Sequence, residues 1–271
     1  SIAHAYYRRH RRICIRERCD PAIGSGAFPV GILHEIVTAR KVLVPYLSSN
    51  YVLKLQKDSG FKDTDNFPSD YYFKRHAIQE SIYGADIDAS AIDIARLRLW
   101  LSMIVDEEDY ETIEALPNLD YKIVCGNSII GLPQNAMRDL DVEHELENLK
   151  AEFFKETDDG RKKNLRNEII YKLKELLDSA EEFAGYKIDF DFNLFFSEVW
   201  REKGGFDIVI GNPPYVNIEK IDKKIKKISK SFRTAYLKYD LYVLFFEKAI
   251  NSLKKEGVLS FITSNKFLSQ G

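Results

Sequence analysis

Cysteine is scarce in this chain, with only Cys14, Cys19 and Cys125 among 271 residues. Three scattered thiols form neither a disulfide framework nor a zinc site, which fits a reducing cytoplasm. Proline (8) and glycine (14) are sparse and 45% of the residues are apolar, excluding collagen-like, low-complexity and disordered architectures. No apolar run approaches the roughly 20 residues that a membrane-spanning helix needs, so no membrane is expected as a partner. The arginine-rich start lacks the apolar stretch of a signal peptide. His4, His10, His34, His76 and His144 show no metal-ligand spacing and read as structural or solvated, so no metal is expected. Net charge is almost absent too, with 40 Lys+Arg against 42 Asp+Glu, but the charge is unevenly spread. Residues 1–19 hold six arginines and one glutamate, residues 141–189 hold 14 acidic and nine basic side chains, and residues 216–240 hold eight basic and three acidic. Near neutrality therefore does not exclude nucleic acid.

The length leaves room for one large domain or two small ones. Cys19-Asp20-Pro21-Ala22-Ile23-Gly24-Ser25-Gly26-Ala27-Phe28 is followed by Val30, Leu33, Ile36 and Val37, apolar at spacings of mostly three. That is a glycine turn entering a helix, expected to run to about residue 57. Residues 59–70 are polar and turn-rich and read as a loop. Residues 81–88 read as a short buried strand. Asp88 then caps a helix over 89–105, with Ile92, Ala95, Leu99 and Met103 on one face. A further strand is expected at 121–125. The acidic stretch that follows has helical spacing broken at Asp158-Asp159-Gly160, which predicts a helical hairpin inserted at about 134–190. Phe206-Asp207-Ile208-Val209-Ile210 is the clearest strand, stopped by Gly211. A helix at about 240–255 and a strand at 258–263 follow. Strands alternating with helices specify an α/β fold with a largely parallel sheet.

Three constellations carry chemistry. The Gly24-x-Gly26 turn lets backbone approach a ligand, but Pro29 stands where a dinucleotide fingerprint has its third glycine. The acidic Asp20 ahead of it disfavours pyrophosphate and suits a cationic or amino-acid ligand. A tight helix-entry turn with no ligand is the alternative. Asp86 ends the second strand, where a carboxylate commonly accepts hydrogen bonds from a ribose diol, provided that Ile87 faces the core. A plain cap or turn is the alternative there. The most specific feature is Asn212-Pro213-Pro214-Tyr215. Two prolines fix two φ angles and leave carbonyls free to accept, beside an amide and an aromatic face. Such a cluster suits a flat ring bearing an amine, whose nitrogen it would turn towards an electrophile. Its place, after a core strand, is where open α/β sheets bind ligands.

Taken with Gly84-x-Asp86-Ile87-Asp88 and Cys125-Gly126-Asn127-Ser128, these motifs resemble the gamma group of N6-adenine DNA methyltransferases. Residues 192–200 and Ser260-Phe261-Ile262-Thr263-Ser264-Asn265-Lys266-Phe267 are similar to the methyltransferase core of type IIG restriction–modification enzymes. The resemblance covers about residues 19–271. It implies a Rossmann-like S-adenosylmethionine-dependent methyltransferase fold, a mostly parallel sheet flanked by helices, with the charged helical insertion added. It further implies methyl transfer from S-adenosylmethionine to a flipped-out adenine in double-stranded DNA, as the modification part of a restriction–modification system. Asp20, Pro21, Ala22, Gly24, Gly26 and Phe28 would form the cofactor turn and hold the methionine end. Asp86 would take the ribose hydroxyls, Ile87 would pack on the adenine, and Asn127 would bond that ring's edge. Asn212 and the Pro213 carbonyl, with Pro214 shaping the turn, would bind the target amine, and Tyr215 would stack on its base.

Flipping a base out costs a few kcal/mol, and one aromatic platform returns roughly 1–3 kcal/mol. Phosphate contacts or a second aromatic must supply the rest. Lys220, Lys223, Lys224, Lys226, Lys227 and Lys230 are candidates for backbone contact, a solvated loop being the alternative. Departures from the family lie at the start. Residues 1–18 form an atypical basic segment, and Ile15-Arg16-Glu17-Arg18-Cys19 places charges where a buried apolar strand belongs. The target-recognition domain is expected in a downstream region of the same protein, beyond residue 271, along with a second stacking aromatic. Weak or absent activity is expected of the fragment alone. Two alternatives remain: a protein-glutamine N-methyltransferase, whose amide substrate also suits Asn-Pro-Pro-Tyr, and a non-catalytic fragment or specificity subunit.

Overall fold

The structure, a computed structural model, describes residues 16–43, 70–105, 119–132, 139–156, 158–236 and 238–265. Its centre is a sheet of β1 (Arg18–Asp20), β2 (Ile82–Asp86), β3 (Ile123–Cys125), β4 (Phe206–Gly211) and β5 (Leu253–Phe261). The order is β3-β2-β1-β4-β5, and every pairing is parallel. Successive strand residues point to opposite faces. Accordingly Ile82 and Ile123 enter one apolar cluster, with Leu33, Ile36, Ile78, Ile92, Leu99 and Met103. Tyr83, Ala85 and Val124 enter another, with Phe190, Phe192, Phe196, Phe206 and Ala249. Helices α1 (Ala27–Leu43), α2 (Asp70–Ser81) and α3 (Ala89–Ile104) supply the first cluster. The short α6 (Phe192–Phe195) and α7 (Ser197–Lys203), with α9 (Tyr242–Ser252), supply the second. Both faces of the parallel sheet are thus covered by apolar side chains, as the α/β expectation requires.

Asp88 caps α3 as expected, its carboxylate accepting from the Ser90 N–H at 2.9 Å. The insertion is a hairpin of α4 (Leu140–Lys155) and α5 (Asp159–Ala184), capped by Asp139 and Asp158 and ended by Gly185 in the left-handed region. Leu146, Phe153, Leu165, Ile169 and Leu173 form its own core, which reaches Tyr121 and Leu194 of the main body. Lys150, buried, donates to the carbonyls of Leu194 (2.9 Å) and Phe195 (2.7 Å). The hairpin is therefore bolted to the body, with burial lowering the Lys150 pKa against the pull of Glu198 and Glu147.

Several boundaries differ from expectation. The first helix is described only to Leu43, and residues 44–57 of its expected span lie outside the described residues. So do 59–69 of the expected loop, whose last residue, Asp70, instead opens α2. That helix buries Tyr71, Phe73, Ala77 and Ile78, a stripe hidden in sequence by the intervening Lys74, Arg75 and His76. Lys74 donates to Ser102 O at 2.7 Å, and Arg40 donates to Phe73 O at 3.0 Å and meets His76 Nδ1 at 3.2 Å. Burial, then the charges of Arg40 and Lys122, drive His76 down to about 3, so it is a neutral structural group. The last helix stops at Ser252 and the last strand begins at Leu253, not 258.

The charged first strand has a physical explanation. Arg18 opens β1, so the strand straddles the boundary expected between residues 18 and 19. Just before it, Glu17 donates its N–H to Asp207 Oδ2 at 3.1 Å, and Lys203 pairs with both carboxylates. Lys254 of β5 pairs with the other Asp207 oxygen. Burial and the contact with Asp207 push Glu17 up to about 7 against the attraction of Lys203. Burial also opposes the Asp207 charge, but the hydrogen bonds from Glu17 and Lys254 and the Lys203 charge hold it at about 2. Glu17, just before the strand, is thus held by partners from α7 and β4, and Asp207 by partners from α7 and β5.

Candidate active site

Everything singled out in the sequence for chemistry, except Phe28, converges on the carboxyl ends of four adjacent strands. The turn after β1 begins with Asp20, whose Oδ1 accepts from the Ala22 N–H at 3.0 Å. Gly24 and Gly26 have φ of +52° and +83°, which L side chains rarely adopt. A Cβ on Gly26 would stand 2.9 Å from the Ala95 Cα, so α3 packs directly on this turn. A Cβ on Gly24 would meet nothing within 4 Å, so that backbone faces open space.

Asp86 bridges the turn to β2. Its Oδ2 accepts from the Gly24 N–H at 2.9 Å, and its Oδ1 from the Asp88 N–H at 3.0 Å. Each oxygen keeps a lone pair for a further donor. Ile87 does not face the core, contrary to the condition placed on Asp86; it is 69% exposed at the strand's end. An apolar side chain held in solvent beside a carboxylate is a platform for a flat ring.

After β3, Asn127 Oδ1 accepts from the Ile129 N–H at 3.0 Å, leaving its amide nitrogen to donate outward. Ser128, quoted in the sequence motif but given no role, is buried and donates to the Pro21 carbonyl at 2.6 Å. Arg98 of α3 donates to Ser25 Oγ at 3.0 Å. Neither tie has a sequence signal, because each joins residues far apart in the chain.

The fourth strand delivers Asn212-Pro213-Pro214-Tyr215. Gly211 is backed against Asp20, where a Cβ would come within 2.5 Å of Asp20 Oδ1. The cofactor-type turn and the Asn-Pro-Pro-Tyr turn are therefore in van der Waals contact. Asn212 is exposed, Pro213 buried and Pro214 half-buried. The Tyr215 hydroxyl donates to Ile262 O at 2.7 Å, and its ring lies 5.7 Å from that of the buried Tyr242. These contacts orient the ring while leaving it 48% exposed.

Electrostatically, the site holds one group in search of a partner. Asp20 is 2% exposed, and its Oδ2 makes no hydrogen bond among the described residues. Burial pushes its pKa up to about 7, the Ala22 N–H opposing and the neighbouring Asp86 charge assisting. A buried carboxylate oxygen without a donor fits a cationic ligand, so the residues present suit a sulfonium or ammonium group. Phe28 lies elsewhere. With Ile32, Ile36, Ile208 and Ile210 it lines a cavity of about 650 Å³ between α1 and the sheet, rimmed by Arg16, Arg18, Glu35 and Arg40. That cavity is lined by none of the other candidate site residues. No cluster able to hold a metal occurs among the described residues, and no helix there is long and apolar enough to cross a membrane.

A five-stranded parallel sheet in this order, with ligand-ready turns at the strand ends, defines a Rossmann-like methyltransferase fold. The profile of the Eco57I restriction-modification methylase family matches residues 80–271, and the chain belongs to that family. It is 26% identical over 327 residues to the putative type II restriction enzyme and methyltransferase RM.MjaORFECS2P of Methanocaldococcus jannaschii, covering 92% of this chain. Identity is also 26%, over 257 residues, to the type II restriction enzyme and methyltransferase RM.Eco57I of Escherichia coli, again over 92% of this chain. A shorter stretch of 81 residues, 30% of this chain and 14% of the relative, is 43% identical to the type II methyltransferase M.BstVI of Geobacillus stearothermophilus. The chain spans 26% and 20% of the lengths of the first two relatives.

Proposed function

We propose that this chain is the S-adenosylmethionine-dependent core of a DNA adenine-N6 methyltransferase, in the modification part of a restriction–modification system. The observation that carries the reading is the contact between two turns: Asp20, with its unpartnered buried oxygen, lies against Gly211, which opens Asn-Pro-Pro-Tyr. A cation site and an amine site thus share one edge of the sheet. When bound, the cofactor supplies an electrophilic methyl group on its sulfonium.

In this reading the chain's residues divide the work. Asp20, Pro21, Ala22, Gly24 and Gly26 hold the charged methionine end. Asp86 accepts from the ribose hydroxyls with its remaining lone pairs, Ile87 packs on the cofactor adenine, and Asn127 donates to that ring's edge. Asn212 and the Pro213 carbonyl accept the two N–H bonds of the target amine, drawing its lone pair out of the ring and towards the methyl group. Tyr215 supports the base, and its fixed hydroxyl and packing on Tyr242 lower the entropy lost on stacking. Sequence recognition is assigned to another region of the same protein.

The test is methyl transfer by the intact protein that carries this chain. With labelled S-adenosylmethionine and unmodified duplex DNA, the label is expected in N6-methyladenine after digestion to nucleosides. Label appearing only in a protein amide, or in cytosine, would overturn the assignment.

A further inference from the structure

We infer that the excursion between Tyr215 and α9 is a rigid grip for the phosphate backbone of a DNA duplex, an assignment that rests on the DNA reading above. The excursion is closed at its neck, next to Tyr215. Leu241 N–H donates to Val216 O at 2.7 Å, Ile218 N–H to Tyr239 O at 3.0 Å, and Asn217 Nδ2 to Asp240 Oδ1 at 3.3 Å.

Beyond the neck it is folded, not a loose loop. Ile225, Phe232, Ala235 and Tyr239 pack on Ile129, Leu244 and Phe245. The Glu247 carboxylate of α9 accepts from the Arg233 N–H (3.1 Å), the Thr234 N–H (2.8 Å) and the Thr234 hydroxyl (2.9 Å). One turn-rich segment is thus nailed to a core helix.

The cations are sorted by this folding. Lys226 donates to Glu219 O and Lys238 pairs with the Glu219 carboxylate, so both serve the excursion itself. Lys220, Lys223, Lys227, Lys230 and Arg233 are exposed and make no ion pair among the described residues. Lys223 and Lys227 lie in α8 (Lys223–Ser229) and Lys230 just after it, spaced four and three apart. They share one face, while Ile225 and Ile228 turn inward on the other. Tyr236, 76% exposed, stands on the same excursion and offers a stacking face. The acidic Asp222 is exposed beside Lys223 but does not offset five cations that have no ion pair among the described residues. A row of like charges held at fixed spacing, beside the residues assigned to the target base, matches a polyanion of regular charge spacing.

The test is the salt dependence of duplex binding, measured by fluorescence anisotropy with the full protein and a mixed-sequence duplex. Each phosphate contact contributes roughly −0.9 to the slope of log K against log[salt], so neutralising five cations should flatten the slope by up to about 4.5. Between roughly 50 and 200 mM salt the native protein should therefore lose up to about 500-fold more affinity than the variant. The variant is Lys220→Gln, Lys223→Gln, Lys227→Gln, Lys230→Gln and Arg233→Gln together, with an unchanged circular dichroism spectrum. A comparison variant, Lys163→Gln with Lys174→Gln on the exposed face of α5, should keep the native slope. An unchanged slope in the fivefold variant, with duplex binding intact, overturns this grip and leaves the methyltransferase reading standing. A native protein that neither binds duplex DNA at any salt nor methylates it overturns both.

Discussion

Replacing Asp20 with asparagine isolates the electrostatic heart of the proposed cofactor site. In the free protein its carboxyl titrates at about 7, because burial and then the Asp86 charge outweigh the Ala22 N–H bond. A cation seated against the orphaned Oδ2 favours the ionised form, so binding expels whatever proton Asp20 carries. With one such group, affinity falls about tenfold per pH unit well below 7 and levels off above it. The ratio between pH 8 and pH 6 is then about 10, or roughly 1.4 kcal/mol. Titration calorimetry in buffers of different ionisation enthalpy should count roughly half a proton released per cofactor bound at pH 7. The Asp20→Asn variant should lose this pH dependence and bind more weakly at pH 8. The same shift bears on the free protein. The folded pKa lies above the ordinary value of 3.8, so this group's contribution to stability declines as pH rises from about 4 through 7. A native affinity that is flat between pH 6 and 8, or a variant profile as steep as the native one, would refute the reasoning.

Asn212→Ala removes the amide assigned to the target amine and should lower kcat by at least about 100-fold, while calorimetry shows unchanged cofactor affinity. Asp86→Ala leaves the Gly24 and Asp88 N–H groups without their acceptor and removes the ribose contact. Cofactor binding should weaken by about 2–3 kcal/mol, read directly by the same method. Asp207→Asn deprives Lys203 and Lys254 of a charged partner and should cost about 2–3 kcal/mol in denaturant unfolding at pH 7. Because Asp207 is held at about 2, below its ordinary 3.8, its stabilisation is present above pH 4 and lost as pH falls towards 2, so the difference from native should shrink there. Leu146→Ala, fully buried where the hairpin meets the body, should destabilise by about 2–5 kcal/mol in the same assay.

What was legible in the sequence follows the range of the interaction. The Gly24-x-Gly26 turn, the Asp88 cap and the break at Asp158-Asp159-Gly160 are local, and all three stand where local rules put them. So does the parallel sheet, because β2 and β4 are β-branched or apolar runs stopped by turn residues. Helix α2 was not legible, because its buried stripe is interrupted by Lys74, Arg75 and His76, and the partners of Lys74 and His76 come from other elements. Likewise the charged entry to β1 looked wrong for a central strand, since Lys203 and Asp207, which hold Glu17 there, lie far along the chain. In the candidate site the residue types were readable, but their coupling was not. The Ser128–Pro21 bond and the Gly211–Asp20 contact join segments roughly one hundred and two hundred residues apart. Spacing in sequence carries no signal for such pairs.

A crystal structure of the protein with S-adenosylmethionine bound tests the central claim most directly. The account predicts density at the carboxyl ends of β1, β2 and β3, with the charged methionine end at Asp20, the ribose on Asp86 and the adenine between Ile87 and Asn127. Density in the apolar cavity beside α1, or an Asp20 Oδ2 still without a partner in the occupied site, would contradict it.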